Sequence, residues 1–415
     1  MKTIIILGDG MADYPIEQLN GKTPLQYAET PYMDMLARTG RTGRLVTVPD
    51  GYTPGSEVAN TAILGYDLDV VYEGRGPLEA ASIGYEMDPL DLALRCNIIS
   101  VRSDGTIKTH NGGNLTTEES TPLVTYLNEN LGSDKVKFVR GIQYRHLLII
   151  KGGSKYIECA PPHDHPNEEW APLLVKPKHG MENYKEEGRL TPQETADLVN
   201  DLIIRSKELL EKHPFNIQRQ EEGKDLANII WPWSGGYRPA MQTLSEIYPN
   251  IKSGAVISAV DLIRGIGHYA GLDIIKVDGA TGLWDTNYEG KTAAAIEQLK
   301  HKDFVFLHVE ASDEAGHDGE VMLKVKTIEN LDSRMIGPIV EATKQWNEPV
   351  CIAVLPDHYT PVEKRIHIGE PVPFIINAPG LDPDSVQTYD EYSCVNGGYG
   401  ILRLSEFMQE LNKIK

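Results

Sequence analysis

Three short, nearly continuous apolar segments predict strands that are buried on both faces, at residues 3–7, 303–309 and 350–355. Helical patterns at 291–300 and 328–343 lie among them, and both are long enough to be crossover connections between parallel strands. Strands and helices that alternate in this way predict an α/β fold with a mostly parallel sheet flanked by helices.

The middle of the chain has a different pattern. From about 88 to 253, short apolar stretches alternate with polar and proline-rich connections such as CAPPHDHPNEEWAP. A chain of 415 residues is long enough for two domains that each bury a core of their own. We therefore predict a second α/β or α+β domain at 88–253, inserted into a first domain formed by 1–87 plus 254–415.

Each of the three predicted strands ends in residue types that bind metal ions. The first strand is followed by Asp9, the second by a segment that contains Asp313, and the third by Asp357 and His358. In open α/β sheets, ligands bind outside the carboxyl ends of the parallel strands. We therefore expect these strand ends to converge on one site.

The spacing of these residues suits metal coordination. Asp313 and His317 are four residues apart, one helical turn, so both can reach one ion from a single face. Asp357 and His358 are adjacent, so in an extended segment they point to opposite sides and suit different partners. The predicted ligand set is Asp9, Asp313, His317, Asp357, His358 and His367. Three carboxylates and three imidazoles are enough for two ions.

A simpler explanation exists for each ligand taken singly. Asp9 and Asp313 have the residue type of helix caps, and histidines are often polar residues near a surface. Three separate strand ends with the same chemistry favour the metal site over this explanation.

Ser56 is the candidate nucleophile. It lies in a Pro-Gly-Ser turn ahead of a helix-like stretch, where a helix N-terminus and a metal ion can both lower the cost of an alkoxide. A serine after a glycine is also a common helix N-cap, so the tripeptide alone is a weak signal. Together with the ligand set, it predicts a phosphoryl-transfer site.

Charge and composition narrow the class of partner. The chain has 60 acidic and 40 basic residues, a formal net charge of -20 and no basic stripe, which argues against a nucleic-acid partner. The charge of a small phosphorylated metabolite would have to be met locally, by metal ions or by a few arginines in a cleft. The opening MKTIIILGDGM is too short for a signal or membrane segment, and the four cysteines form no CxxC pair. These features predict a soluble, cytoplasmic protein without disulfides, and nothing in the sequence predicts its oligomeric state.

Two features of the middle segment resemble functional motifs but have simpler explanations. His163, Asp164 and His165 resemble a ligand cluster, yet their proline-bounded loop lies in the predicted insertion, so we expect a solvated or lid-facing loop. Trp231 and Trp233 are expected to contribute mainly to packing.

The motifs together resemble the cofactor-independent phosphoglycerate mutases of the archaeal type, which are members of the alkaline phosphatase superfamily. The resemblance covers essentially the whole chain and is carried by LGDGMADYP, PGSEVANTAILGYD, EGRGPLEA, GATGLWDTNYEGK, HVEASDEAGHDG, LPDHYTPV and HIGEPVPF. It implies an alkaline-phosphatase-like fold and interconversion of 3-phosphoglycerate and 2-phosphoglycerate through a phosphoserine. It also implies two divalent metal ions, Mn²⁺ or Zn²⁺ with Mg²⁺ as a third candidate, and no 2,3-bisphosphoglycerate.

The resemblance also implies a role for each motif residue. Ser56 would be phosphorylated and would contact one metal ion together with Asp9, Asp357 and His358. The inserted domain would bind the substrate and act as a lid. The remaining implied residues are Asp313, His317 and His367 for the second ion, and His110, Arg238 and Arg264 for the substrate.

Departures from the family pattern leave two other hypotheses open. Arg264 stands where a Lys is usual, Ser312 where Pro is common, and NIIWPWSGGYRP is closer to a bacterial branch proposed to be homoserine kinases. A homoserine kinase-like phosphotransferase with the same serine and metals is therefore the alternative, although the chain has no P-loop pattern for a nucleotide. A non-enzymatic metal-binding protein ranks last, because every expected ligand and nucleophile position is present.

Overall fold

A computed structural model of the protein describes residues 1–414. The chain divides into two compact units. The main unit consists of Met1–Tyr72 and the chain from Ala240 onward, and the inserted unit consists of Glu73–Pro239. Within residues 1–414, no helix is long and apolar enough to cross a membrane.

The strands of both units are numbered in chain order. They are β1 (Lys2–Gly8), β2 (Arg41–Val46), β3 (Asp91–Val101), β4 (Ile107–Thr109), β5 (Val136–Ile142), β6 (Arg145–Lys151), β7 (Ile157–Glu158), β8 (Lys176–Pro177), β9 (Ile229–Gly236), β10 (Gly254–Ile257), β11 (Asp273–Ile275), β12 (Phe304–Val309), β13 (Val350–Leu355), β14 (Val372–Asn377) and β15 (Ile401–Arg403).

The α-helices are numbered in the same way. They are α1 (Pro24–Tyr27), α2 (Pro31–Thr39), α3 (Ser56–Ile63), α4 (Leu68–Val71), α5 (Arg75–Ser82), α6 (Thr117–Leu131), α7 (Pro192–Glu211), α8 (Pro214–Glu221), α9 (Leu244–Ile247), α10 (Asp261–Tyr269), α11 (Tyr288–His301), α12 (Ala311–Asp318), α13 (Val321–Leu331), α14 (Gly337–Thr343) and α15 (Glu406–Lys413).

The main unit is built on a mostly parallel sheet, as the apolar segments predict. Its strand order is β11-β10-β12-β1-β13-β14-β2-β15, and only β14 runs antiparallel to its neighbours. The three strands predicted from the apolar segments, β1, β12 and β13, are adjacent at its centre. Their side chains are almost all buried, because helices cover a parallel sheet on both faces. The predicted α/β class is confirmed.

The predicted helix at 291–300 is present as α11, which begins earlier, at Tyr288, because the Asn287 side chain caps it by accepting a hydrogen bond from the Gly290 N–H. The helix predicted at 328–343 is not one regular α-helix. A π-helical turn, Asp332–Ile336, separates α13 from α14, and Pro338 follows at the start of α14, where a proline cannot donate the hydrogen bond of a regular helix.

The inserted unit has an antiparallel sheet and a core of its own. β3 pairs with β6 on one side and with β9 on the other, β5 extends the sheet beyond β6, and β4 pairs with the end of β3. α6 packs against β5, and the long α7 packs against β9.

The inserted unit begins at Glu73 and the main unit resumes at Ala240, whereas the sequence pattern predicted an inserted domain from 88 to 253. α5 belongs with the inserted unit because it packs against β3 and β9. On the return, Leu244 at the start of α9 donates its backbone N–H to Ala270 O of the main unit, so the segment before β10 already belongs there. Such tertiary contacts have no signature in a local pattern.

Candidate active site

Ser56 is the first residue of α3, and its half-buried hydroxyl lies among buried acidic and imidazole side chains. Its Oγ donates a hydrogen bond to Asp9 Oδ2 at 3.2 Å and lies 3.3 Å from His358 Nε2. The N-terminus of a helix favours negative charge, because its first backbone N–H groups have no partner within the helix. The position therefore suits a hydroxyl that acquires negative charge once its acidic neighbours are neutralised.

Asp9, His308 and Asp357 form a fully buried group that we call the first cluster. One ligand atom from each lies within 4.8 Å of the others. His308 Nε2 is 2.9 Å from Asp9 Oδ2, while Asp9 Oδ1 has no hydrogen-bond partner in the described part of the chain. Burial, followed by repulsion from Asp357, raises the pKa of Asp9 well above its usual value. A cation between the carboxylates would relieve both costs.

Asp313, His358 and His367 form the second cluster, and His317 adjoins it. His317 Nε2 lies 3.3 Å from Asp313 Oδ2 and 2.8 Å from His367 Nε2. Two ring nitrogens at this distance need a proton or a metal ion to reconcile their lone pairs. Burial alone would raise the pKa of Asp313, but hydrogen bonds from His317 and His367 hold it well below its usual range.

The donor atoms of both clusters fit divalent metal ions, because carboxylate oxygens and imidazole nitrogens are ligands of Mn²⁺ and Zn²⁺. His358 belongs to both neighbourhoods, since its Nε2 also lies 3.5 Å from Asp9 Oδ1 and 3.5 Å from Asp357 Oδ2. Cations at these positions would satisfy the unpartnered Asp9 Oδ1 and the facing nitrogens of His317 and His367 together.

Hydrogen bonds fix the orientation of Asp357. Its Oδ1 accepts the backbone N–H groups of Gly10 at 3.0 Å and His358 at 2.9 Å, and its Oδ2 accepts Asn60 Nδ2 at 2.9 Å. Asn60 also donates to Ser56 O at 2.8 Å, so one amide group connects the start of α3 to a candidate metal ligand.

Thr360 contacts two members of the second cluster. Its Oγ1 donates a hydrogen bond to Asp313 Oδ1 and lies 3.2 Å from His358 Nδ1. Because the hydroxyl proton goes to Asp313, His358 Nδ1 must be the donor to Thr360, and this leaves His358 Nε2 with a free lone pair for a metal ion. Gly10 makes room nearby: its φ is +59°, and a Cβ there would lie 2.5 Å from Asp313 Oδ1.

The inserted unit contains a different group, which we call the arginine cluster. Arg75, Arg95 and His163 lie against Trp233, and Arg145 and His110 lie against the neighbouring Tyr144. The guanidinium carbon of Arg95 lies 5.0 Å from the centre of the Trp233 ring, and that of Arg75 lies 5.8 Å from it. The His163 ring is 5.2 Å from Trp233 and 6.2 Å from His110. Several cationic side chains meet here, in a protein with a net charge of -20.

Arg95 is the buried member of this cluster. Its Nε lies 3.3 Å from Glu79 Oε1. Burial lowers the pKa of Arg95, Glu79 opposes that effect, and Arg145 and Arg75 lower the pKa further. Three arginines whose planar, forked donors suit phosphate and carboxylate groups give the cluster the chemical character of an anion-binding site.

Comparison with known proteins decides the family. A family model described as 2,3-bisphosphoglycerate-independent phosphoglycerate mutase matches residues 37–216. A protein of that name from Methanosarcina acetivorans is 46% identical over 416 residues, and the alignment covers 100% of both chains. The chain belongs to this mutase family. A Geobacter sulfurreducens protein named as a probable member is 42% identical over 415 residues, which cover 98% of this chain and 99% of the relative.

Solved structures agree with this mutase membership. A protein from Pyrococcus horikoshii superposes with a TM-score of 0.81 at 30% identity, over 99% of this chain and 96% of that one. The cofactor-independent phosphoglycerate mutase from Thermoplasma acidophilum superposes with a TM-score of 0.69 at 26% identity, over 100% of both chains.

In this member of the mutase family, the predicted nucleophile and metal ligands all meet at the carboxyl edge of the main sheet. They are Asp9, Ser56, Asp313, His317, Asp357, His358 and His367. Of the predicted substrate contacts, Arg264 lies in α10 of the main unit, where its Nε donates to Ser258 O at 2.8 Å. His110 and Arg238 lie in the inserted unit, His110 half-buried within the arginine cluster and Arg238 exposed.

Sequence analysis missed His308 and the three arginines of the cluster. His308 is the one polar residue in the buried run FVFLHV of β12, and Arg95 is the one charged residue inside the run LALRCNIISV. A polar side chain in an otherwise apolar strand was therefore the available signal. His163, expected on a solvated or lid-facing loop, is exposed but also contacts Trp233, whereas Trp231 lies in the core of the inserted unit.

Proposed function

We propose that the protein interconverts 3-phosphoglycerate and 2-phosphoglycerate through a phosphorylated Ser56, without 2,3-bisphosphoglycerate. The observation that carries this proposal is the position of Ser56 Oγ, 3.2 Å from Asp9 Oδ2 and 3.3 Å from His358 Nε2, beside two clusters of metal-ligand side chains. The relatives described above are named as mutases and match this chain over almost their whole length, which supports phosphoglycerate rather than homoserine as the substrate.

Two divalent metal ions, Mn²⁺ or Zn²⁺ with Mg²⁺ as a further candidate, are part of the proposal. Asp9, Ser56, Asp357 and His358 would hold one ion. The proposed ligands of the other are Asp313, His317 and His367. When bound, such ions favour the serine alkoxide and neutralise charge on the phosphoryl oxygens.

Ser56 receives the phosphoryl group in the first half of the reaction and returns it in the second. Ser56 Oγ gives up its proton and forms a bond to phosphorus as the bond from phosphorus to the 3-oxygen breaks, and that oxygen takes up a proton. In the second half, the 2-hydroxyl of the bound glycerate gives up its proton and forms a bond to phosphorus as the bond from phosphorus to Ser56 Oγ breaks, and Ser56 Oγ takes up a proton. No donor is consumed, and the N-terminus of α3 stabilises the charge on the serine-bound phosphoryl group.

The inserted unit is proposed to bind the anionic groups of the substrate and to act as a lid. His110, Arg95 and Arg145 supply the charge and the forked donors that phosphate and carboxylate require. Arg264 and Arg238 are the further proposed contacts. We also propose a cytoplasmic location, which the four free cysteine thiols support.

The test is a metal-dependent assay without ATP or diphosphoglycerate. Protein stripped with chelator and reloaded with Mn²⁺ should convert 3-phosphoglycerate to 2-phosphoglycerate in an enolase-coupled assay, and the Ser56→Ala variant should not. Ser333→Ala is the matched control, because that serine only donates to Glu329 O on the exposed face of a helix.

A parallel reaction with homoserine and ATP distinguishes the alternative. Mutase turnover that needs Mn²⁺ and Ser56 supports the proposal. Phosphorylation of homoserine by folded, metal-loaded protein that leaves 3-phosphoglycerate unchanged would replace it with the kinase hypothesis.

A further inference from the structure

Lys324, on α13, is a fully buried lysine outside the two clusters. Its Nζ donates to Asp13 Oδ2 at 2.8 Å, Thr360 O at 2.8 Å and Ala12 O at 3.2 Å. These partners use all three protons of the ammonium group. Burying an ammonium ion is costly unless it is paired and fully hydrogen-bonded, so this arrangement needs a reason beyond packing.

The partners of Lys324 belong to two loops that carry candidate metal ligands. Ala12 and Asp13 follow β1 and come shortly after Asp9, whereas Thr360 follows β13 and comes shortly after Asp357. The loops also contact each other directly, since Thr360 donates its backbone N–H to Ala12 O at 3.3 Å. Lys324 therefore holds the loop after β1 against the loop after β13 through hydrogen bonds to both.

Asp13 and Thr360, which both bind Lys324, make further contacts of their own. Asp13 Oδ2 also accepts the backbone N–H of Val362 at 3.1 Å, and the Asp13 N–H donates to Glu391 Oε1 at 2.9 Å. Thr360, whose carbonyl accepts from Lys324, uses its hydroxyl to hold Asp313 and contact His358. A displacement of the Thr360 backbone would therefore move Asp313 and His358 of the second cluster, and His358 Nε2 also lies 3.5 Å from Asp9 Oδ1 of the first.

We propose that Lys324 is a positioning residue that sets the spacing of the metal ligands through the Ala12 and Thr360 carbonyls. This inference rests on the proposed function, because it presupposes metal ions at the two clusters. The competing explanation is that Lys324 only neutralises the buried Asp13 carboxylate. The two explanations differ in what happens when both charges are removed together.

The test compares Mn²⁺ affinity in the unmodified protein, a double variant and a control variant, measured by calorimetric titration of chelator-stripped protein well below the unfolding temperature. Lys324→Met leaves Asp13 buried and unpaired, so folding is better preserved in the double variant Lys324→Met with Asp13→Asn. Arg219→Met is the matched control, because Arg219 is a buried cation that donates to Asp225 O and Gly113 O in the inserted unit, away from the candidate ligands.

We expect the double variant to bind Mn²⁺ at least about ten-fold more weakly than the unmodified protein, the range found when partners of metal ligands are removed. Arg219→Met should melt at a lower temperature but bind Mn²⁺ like the unmodified protein. Unchanged Mn²⁺ affinity in the folded double variant would overturn the positioning role. An unmodified protein that binds no Mn²⁺ would overturn the proposed function itself, and the inference with it.

Discussion

Around Ser56 the buried charged groups are mostly carboxylates and imidazoles, whereas the arginine cluster of the inserted unit combines arginines and histidines with aromatic rings. The carboxylate of Asp9 has a raised pKa because burial and Asp357 disfavour its charge. The guanidinium of Arg95 has a lowered pKa for the matching reason, burial with repulsion from Arg145 and Arg75, although Glu79 opposes it. The two sites therefore concentrate charge of opposite sign, negative around Asp9 and positive around Arg95.

The difference indicates what each group binds. We expect cations to complete the acidic clusters of the main unit and an anion to complete the arginine cluster of the inserted unit. A protein with a net charge of -20 attracts a phosphorylated metabolite only where positive charge is concentrated. We therefore expect changes in the main unit to alter metal affinity and changes in the arginine cluster to alter substrate affinity.

The largest effect should follow Asp313→Asn. Asp313 binds Thr360 and lies within reach of His317 and His367, so loss of its charge removes a ligand and the anion that balances two histidines. We expect kcat/KM to fall by more than about 100-fold, because even partners of metal ligands contribute 10- to 100-fold. Asp318→Asn, an exposed position on the same helix, is the control, and full activity of Asp313→Asn would contradict the metal assignment.

A smaller effect, on substrate rather than metal, is expected for Arg145→Met. A hydrogen bond to a charged group contributes about 1.5–3 kcal/mol, so KM should rise by about 10- to 100-fold while Mn²⁺ affinity stays unchanged. The exposed Arg205, paired only with Asp201, provides the control Arg205→Met. A shift in Mn²⁺ affinity without a change in KM would contradict the assignment of substrate binding to the arginine cluster and of metal binding to the main unit.

Thr360→Val should have a milder effect, and it should change metal affinity alone. The substitution keeps the shape and the backbone carbonyl but removes the hydroxyl that holds Asp313 and fixes the His358 tautomer. We expect Mn²⁺ affinity to fall by about ten-fold with little change in KM. Thr343→Val, whose hydroxyl only bonds Ile339 O and Val340 O within a helix, should behave like the unmodified protein in the same titration.

The smallest effect should come from an ion pair outside both groups. Arg334 binds Glu289 with two hydrogen bonds of 2.7 and 2.8 Å, but both side chains are substantially exposed. Exposed pairs contribute about 0–1 kcal/mol, so Glu289→Gln should shift the melting temperature slightly and leave kcat, KM and Mn²⁺ affinity unchanged. A large loss of activity here would mean that general stability, rather than charge at the two groups, controls function.

The sequence alone predicted the main sheet and the edge where its ligands meet. β1, β12 and β13 are continuous apolar runs, so both their type and their burial follow from composition, and Asp9, Asp313 and Asp357 follow from the strand ends. His308 was missed because it lies within a strand, where its role depends on the neighbouring strand that carries Asp9.

The arginine cluster as a group could not be predicted, because strand register brings its members together, although Arg95 alone stands out within its apolar run. Antiparallel pairing places Arg95 opposite Trp233 and Asn97 opposite Arg145, from segments far apart in the chain. The compact inserted unit begins at Glu73 rather than at the predicted 88, because α5 packs on β3 and β9, and that packing is not visible in its own pattern.

The most direct test of the account is to find the phosphoryl group on the protein. Metal-loaded protein mixed with 3-phosphoglycerate is quenched with acid, digested and analysed by mass spectrometry. The account predicts one phosphoryl group on the peptide that contains Ser56, present only with metal and substrate and absent from Ser56→Ala. Turnover of 3-phosphoglycerate with no phosphoryl group on that peptide, or with the group on another residue, would contradict it.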